Sequence, residues 1–192
     1  MKVSILRAIP RSAQRREPWA NGAGSTTVLL REPDADAWTI RVSIANVEAP
    51  GPFSDLPDTG RMLVPLDAPM ALRFPDGREL AAPRFGTLCF DGSPAPAGLL
   101  PEGPTRDFNL MLRGGARGDV LPRTLVDSTM LSPLPGLRWL VYLDSGRARI
   151  DAGTGGSLAL QPGEATLVTA GGAPERVLVE GAGEIVLVKL YA

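Results

Sequence analysis

The sequence predicts an all-β protein made of two similar β-barrels, and three observations lead to this fold class. Short apolar runs with period-two alternation recur along the chain between turn residues, whereas the 3.6-residue period of helices is nearly absent. Glycine and proline, 22 and 19 of 192 residues, are spread between these runs rather than massed in one tract. One segment also occurs twice in similar form, which indicates a duplicated unit.

The best-patterned strand covers residues 38–45 (WTIRVSIA). Its apolar face carries four large residues, namely Trp38, Ile40, Val42 and Ile44. Arg41 and Ser43 lie on the opposite, polar face, which either lines a barrel interior or faces solvent. Turns rich in proline and glycine follow on both sides of Phe53, which is expected in the core or in a pocket wall. The next apolar run begins at Arg61.

A first strand is predicted over residues 2–9, and a glycine-rich stretch lies at residues 19–26 (WANGAGST). Its glycines suit either a bend whose backbone N–H groups approach an anion or a plain turn between strands. It is neither a P-loop nor a dinucleotide fingerprint, because the required lysine and third glycine are missing. If this stretch binds a ligand, Asn21, Gly22 and Thr26 are the candidate contacts.

Residues 61–67 (RMLVPLD) and 138–144 (RWLVYLD) are the two copies of the repeated segment. Each copy is followed by a strand, a glycine-containing hairpin, a second strand, a proline and a return strand. Duplication predicts one domain over residues 1–112 and another over residues 113–192, with exchange of strands between them allowed. In this alignment Arg138 takes the place of Arg61. Further strands are expected at residues 105–111, 175–179 and 184–191.

The composition argues against several classes of function. The chain has no histidine, the commonest general base and metal ligand, so neither a metal nor a cofactor is expected. A net charge of −1 gives no electrostatic reason to bind nucleic acid or an anionic membrane. The single cysteine, Cys89, lies in an apolar run and is predicted to be a buried thiol. Without an apolar leader or a membrane-length apolar run, a cytoplasmic location is expected.

Arg61 is the leading candidate for a ligand contact. A planar guanidinium at the start of a strand suits bidentate binding of a carboxylate. The alternatives are a structural salt bridge to Asp58 or Asp67, or an arginine exposed to solvent. Asp107 and Asn109 share one face of a short strand, and they either orient a ligand or hold a connecting loop by local hydrogen bonds.

Five of these stretches together resemble the HutD/Ves family of bacterial bicupin proteins. In chain order they are Trp19-x-Asn21-Gly22-x-Gly24-x-Thr26, Trp38-x-Ile40-x-x-Ser43-Ile44-Ala45, Gly51-Pro52-Phe53-Ser54-x-Leu56-Pro57, Arg61 and Asp107-Phe108-Asn109-x-Met111. The family's usual Trp-Lys-Asn-Gly-Gly-Gly departs here at Ala20, so no role of that lysine carries over. The C-terminal half keeps only the outline of a cupin motif, without its histidines.

The resemblance implies a duplicated cupin-like double β-barrel with few or no long helices. HutD proteins accompany histidine-utilisation genes and are thought to act as metabolite-binding regulators, whereas Ves proteins are described as stress-inducible. The implied ligand is a small carboxylate, formylglutamate or urocanate. The resemblance also makes Arg61 the preferred carboxylate anchor.

Three hypotheses of function follow from the sequence. The first is a regulatory bicupin that binds a small carboxylate and is not an enzyme. The second is a metal-independent isomerase or hydrolase that uses a carboxylate such as Asp107 or Glu48 as its base. The third is a protein-interaction module whose second barrel forms a homodimer, which an exposed apolar patch without a pocket would favour.

Overall fold

The computed structural model describes residues 5–19, 24–171 and 176–191, which form sixteen strands and two short 3-10 turns, Arg11–Ala13 and Gly153–Gly155. In chain order the strands are β1 (Ile5–Ile9), β2 (Arg15–Pro18), β3 (Gly24–Glu32), β4 (Ile40–Val47), β5 (Gly51–Pro52), β6 (Gly60–Pro65), β7 (Met70–Arg73), β8 (Glu79–Ala82), β9 (Leu88–Asp91), β10 (Ala97–Leu99), β11 (Thr105–Leu112), β12 (Arg117–Leu131), β13 (Leu137–Asp151), β14 (Ser157–Leu160), β15 (Ala165–Thr169) and β16 (Val177–Tyr191). The prediction of an all-β chain without long helices is confirmed. Within these ranges no helix is long and apolar enough to cross a membrane.

The chain divides into two compact units, the N-terminal unit (Arg15–Ala116) and the C-terminal unit (Arg117–Ala192 together with Met1–Gln14). The first strand belongs to the C-terminal unit because β1 pairs with β15, where Ile9 lies opposite Ala165. Each unit has a hydrophobic core of its own.

Two antiparallel sheets build the N-terminal unit. The larger sheet has the strand order β2-β3-β4-β11-β6-β9, and the smaller sheet has the order β5-β10-β7-β8. Side chains alternate across each strand, so Val47 and Leu63 of the larger sheet meet Met70 and Leu72 of the smaller sheet in one core. Over the described residues the two sheets face each other and are not closed into a barrel.

The C-terminal unit is one six-stranded antiparallel sheet in which β12, β13 and β16 are each 15 residues long. Residues from both halves of β13 belong to one core, so the sheet folds onto itself. A register shift between Leu143 and Ser145 inserts a residue at the fold, and therefore both Leu143 and Ala148 face this core. Gly146 lies opposite Gly183 just beyond the shift, and both have positive φ.

The same ladder of four strands occurs in both units, as β9-β6-β11-β4 and as β15-β13-β16-β12. Arg61 of β6 lies opposite the core residue Phe90, and Trp139 of β13 lies opposite the core residue Val168. Arg138 lies opposite Thr169 and is not part of the core of its unit, so the neighbouring inner-face residue is Trp139. Because successive residues of a strand face opposite sides, Arg138 keeps the alignment position of Arg61 but does not share its inner face.

Some local predictions also differ from the structure. Cys89 is exposed, because β9 is an edge strand whose Leu88 and Phe90 point inward and leave Cys89 on the outer face. The prediction of a buried thiol is therefore wrong. The strand expected from Trp38 begins at Ile40. The two strands expected near the C-terminus are one continuous strand, β16.

Candidate functional site

The N-terminal unit contains a cavity of about 530 Å³ on the inner face of its larger sheet. Strands β4, β6 and β11 supply one side of the cavity, and the segment of residues 49–56 supplies another. Apolar and aromatic side chains form much of its wall, among them Trp19, Trp38, Phe53 and Met111. Three arginines also line it, namely Arg41, Arg61 and Arg113, whereas no described carboxylate does. Its volume and charge suit a small anionic ligand.

Arg61 is buried in the wall of this cavity, with only 4% of the residue exposed. Its guanidinium carbon lies 5.0 Å from the ring centre of Phe53 and 5.1 Å from that of Phe90, so two aromatic rings hold it. Nη2 donates a hydrogen bond of 2.9 Å to Oδ1 of Asn109, whereas Nε has no partner among the described residues. Burial lowers the pKa of Arg61 to about 10, which leaves the group positively charged at neutral pH.

Asn109 connects Arg61 to a buried carboxylate. While its Oδ1 accepts from Arg61, its Nδ2 donates to Oδ1 of Asp107, which is completely buried. The second oxygen of Asp107, Oδ2, has no partner among the described residues. Burial raises the pKa of Asp107 to about 7, and the attraction of Arg61 and hydrogen bonds from Ala45 and Asn109 oppose this rise.

The other two arginines of the cavity already have partners. Arg41 donates from Nη2 to Oε2 of Glu17 at 2.9 Å, and burial lowers its pKa although Glu17 opposes this shift. Arg113 donates from Nε to Oγ1 of Thr59 at 2.8 Å, and its guanidinium carbon lies 3.9 Å from the centre of the Trp38 ring. Neither Arg61 nor Arg113 forms a salt bridge to a described carboxylate, but Arg61 is the buried one and the one that keeps a donor nitrogen without a partner among the described residues.

Besides Ser54, two hydroxyl groups of the larger sheet belong to the polar part of the wall. Ser43 lies on β4 directly opposite Asn109, and its buried Oγ has no partner among the described residues. Thr26 of β3 accepts a hydrogen bond of 2.8 Å from Nε1 of Trp19, which fixes the indole ring at the cavity. Ser43 is therefore the buried hydroxyl of the wall whose hydrogen-bonding capacity is unused among the described residues.

The structure brings together most of the residues selected from the sequence. Those that line the cavity are Thr26, Arg41, Ser43, Phe53, Arg61 and Asn109. The polar face of β4, with Arg41 and Ser43, thus lines the cavity and does not face bulk solvent. Asp107 lies behind Asn109 and is not part of the wall. Asn21 and Gly22 lie outside the described residues.

The alternative partners considered for Arg61 are engaged or placed elsewhere. Asp67 accepts a hydrogen bond of 2.6 Å from Nη2 of Arg106, and this pair lowers the pKa of Asp67 although burial opposes the shift. Asp58 is exposed in a turn and has positive φ. The structural salt bridge proposed as the alternative role of Arg61 is therefore not formed.

Sequence reasoning missed several residues of the site. Met111 could have been found, because the period of two that links Asp107 and Asn109 continues to it on the same face. Arg113 and Glu17 gave no such signal, since Arg113 lies just beyond the end of β11 and Glu17 meets the site only through its contact with Arg41.

Comparisons with known proteins agree with the predicted resemblance. A family model described as HutD matches residues 11–187. The chain belongs to the HutD family. In solved structures it is similar to PA5104 of Pseudomonas aeruginosa, a conserved protein of unknown function, with 25% identity, a TM-score of 0.84 and coverage of 97% of this chain and 99% of that chain. A comparison with curated proteins finds no match.

Two further structures confirm the fold. HutD from Pseudomonas fluorescens is 20% identical with a TM-score of 0.79, and the alignment covers 97% of this chain and 98% of that one. Pirin YhhW from Escherichia coli, solved with nickel(II), is 8% identical with a TM-score of 0.70 and coverage of 97% and 99%. The cupin-like fold that the resemblance implied is thus confirmed.

A metal ion does not fit the residues of this chain at the cavity. Within the described ranges, no group of three or more cysteine or carboxylate side chains is placed to hold a metal. The central group of the wall is instead the guanidinium of Arg61, whose positive charge repels a cation.

Proposed function

We propose that this protein is a regulatory bicupin that binds a small carboxylate in the cavity of its N-terminal unit and acts in the cytoplasm, in histidine utilisation or a stress response. One observation carries the proposal. Arg61 is buried between two aromatic rings in the cavity wall, and no described carboxylate forms a salt bridge to it. Membership of the HutD family supports a link to histidine utilisation.

A bound carboxylate would supply the direct salt bridge that Arg61 lacks. Charge-assisted hydrogen bonds to a guanidinium are stronger than neutral ones, and water-poor aromatic surroundings strengthen them further. Arg61 Nε is an unused donor, and Ser43 Oγ is a second one on the same inner face. We assign these two groups to the two oxygens of the ligand.

The charge of the wall also selects among carboxylates. Its ionisable side chains within the described part of the chain are three arginines, so a ligand ammonium group would lie near positive charge without a counter-ion. Nitrogen that is acylated or part of an unsaturated ring avoids this repulsion. N-formylglutamate and urocanate, named by the family resemblance, are therefore preferred over free glutamate and histidine.

The enzymatic alternative has less support from the geometry. Neither proposed base reaches the cavity wall, because Asp107 lies behind Asn109 and Glu48 is exposed outside the cavity. A binding role needs only the donors that are present.

Thermal-shift measurements with four ligands test this proposal. At a ligand concentration of a hundred times Kd, binding adds about 2.7 kcal/mol to the free energy of unfolding. For a chain of this length we expect N-formylglutamate or urocanate to raise Tm by roughly 5–10 °C. Glutamate and histidine, compared at equal concentration, are expected to give less than half of that shift.

Arg61→Met and Arg73→Met form a matched pair of variants for the same experiment. Arg73 is an exposed arginine of the same unit that pairs with Glu79 at the surface. We expect Arg61→Met to abolish the ligand-induced shift and Arg73→Met to retain it. An equal shift in both variants, or no shift with any of the four ligands, would contradict the proposal.

A further inference from the structure

Two opposite charges of the N-terminal unit are buried and joined through one amide. Arg61 and Asp107 are 4% and 0% exposed, and Asn109, which is 2% exposed, bonds to both. The orientation of this amide follows from chemistry, because a guanidinium only donates hydrogen bonds and a carboxylate only accepts them. Arg61 and Asp107 thus compensate each other across Asn109 without a direct salt bridge.

The surroundings of Asp107 make Arg61 its electrostatic partner. On β4, Ala45 lies directly opposite Asp107, and Ser43 and Arg41 follow on the same face. On β6, Pro65 lies opposite Asp107, and Leu63 and Arg61 follow on the same face. Its neighbours on the same face of β11 are Thr105 and Asn109. The smaller sheet adds only apolar residues, including Met70 and Leu72, to the adjoining core. Arg61 is the charged group among these that acts on Asp107, while Arg41 is paired with Glu17.

A ligand carboxylate at Arg61 would compete with Asp107 for the same positive charge. The ligand carboxylate and Asp107 would then share the positive charge of Arg61 in a poorly solvated interior, where the two negative charges repel each other. The least costly response is to neutralise the group that cannot reach solvent, which is Asp107. Its free Oδ2 is the atom that would carry the proton.

We propose that binding of a carboxylate at Arg61 is coupled to protonation of Asp107 through Asn109, so that the site takes up one proton from solvent with its ligand. This inference rests on the proposed function and adds a pH dependence to it. Asp107 is a positioning residue, since it touches Arg61 only through Asn109. No covalent bond forms or breaks.

The direction of the pH dependence follows from the charge of Asp107 in the free protein. Burial raises its pKa to about 7, so at neutral pH the group is divided between its two forms. Below that pH it is protonated, and Arg61 is free for the ligand. Above it the ionised Asp107 competes, so affinity falls as pH rises, by at most tenfold for each pH unit when one proton is exchanged.

Isothermal titration calorimetry of the full chain with N-formylglutamate tests this coupling, because neither carboxylate of the probe titrates between pH 6 and 8.5. If binding raises the pKa of Asp107 by one unit or more, we expect affinity to fall about fivefold or more over this range. Titrations at pH 7.5 in phosphate and in Tris, which differ in ionisation enthalpy, should show uptake of a fraction of one proton per ligand.

The Asp107→Asn variant resembles the protonated form in shape and charge. It should bind the probe with an affinity that does not change with pH, and its proton uptake should be zero. A carbon-13 NMR titration of the Asp107 carboxyl in the unmodified chain, with and without probe, gives the same answer if the variant does not fold, because the pKa should rise on binding.

The outcomes separate the two proposals. Binding that is independent of pH, without proton uptake, overturns the coupling and leaves the carboxylate site intact. Absence of binding by N-formylglutamate and by urocanate at every pH overturns both. A purely structural role of Asp107 predicts altered stability in Asp107→Asn with the proton count of binding unchanged, which also contradicts the coupling.

Discussion

On the inner face of the N-terminal unit, the shared ladder carries Arg61, Asn109 and Ser43. On the inner face of the matching ladder, the C-terminal unit carries Trp139, Leu187 and Leu121, which belong to its hydrophobic core or pack against it. The order of paired strands is the same in both units, so the backbone does not explain the contrast. The side chains decide whether the inner face becomes a packed core or the wall of a cavity.

The contrast identifies the inner face of the N-terminal unit as the one that carries buried polar groups. Burying a guanidinium, an amide and a carboxylate costs stability compared with apolar side chains of similar volume. The C-terminal unit shows that this ladder is compatible with the apolar solution. The N-terminal unit therefore keeps its polar residues at the expense of stability, which is typical of functional sites.

The largest loss of stability is expected where the strands of the C-terminal ladder bend. In the N-terminal unit the chain breaks at residues 66–69 between β6 and β7, whereas β13 continues through the fold, where Gly146 lies opposite Gly183. A Cβ at Gly183 would collide with the carbonyl oxygen of Ser145, and φ is +143° there. We expect Gly183→Ala to lower the free energy of unfolding by about 4 kcal/mol or more in urea denaturation.

Gly51→Ala in the N-terminal unit is the control for this substitution. A Cβ at Gly51 has open space around it, and the expected change is within about 0.5 kcal/mol. Similar small effects of both substitutions would show that continuous strands do not require glycine at the fold.

Exchanging one matched pair tests the main contrast, with the next largest effect. Asn109→Leu removes the acceptor of Arg61 and the donor to Asp107 together, so we expect a loss of about 3 kcal/mol. Leu187→Asn places an unpaired amide in an apolar core, and a loss of similar size is expected. Both are measured by denaturation at pH 7. A change below about 1 kcal/mol in either variant would mean that its face tolerates the other unit's chemistry.

The elements that depend on local signals could be predicted from the sequence. The period of two at Asp107 and Asn109 predicts a short strand within residues 105–111, observed as Thr105–Leu112, and a glycine hairpin places strands on both sides of Gly77, observed as β7 and β8. Asp107 and Asn109 were found because they share a face of such a strand. Arg61 was found because it begins one.

Features that depend on long-range pairing could not be predicted in the same way. The sequence alignment of the repeat gave Arg138, because matching letters do not reveal that Trp139 and not Arg138 lies on the inner face of its strand. Cys89 lies in an apolar run, but only the strand order shows that β9 is an edge. The pairing of Arg41 with Glu17 joins β4 and β2, which are not neighbours in their sheet.

The smallest expected effect concerns Ser43 Oγ on the inner face of the N-terminal unit, and it separates the effect of this atom on stability from its effect on ligand binding. Ser43 Oγ is buried without a partner among the described residues, so Ser43→Ala should raise the free energy of unfolding of the ligand-free chain by about 1 kcal/mol. The same variant should bind N-formylglutamate about fivefold more weakly, because one hydrogen bond is lost. Leu121→Ala on the inner face of the C-terminal unit should only destabilise, since it leaves a gap in an apolar core. If Ser43→Ala also destabilises and binds the ligand normally, then Ser43 serves packing as Leu121 does, and the contrast between the faces rests on Arg61 and Asn109 alone.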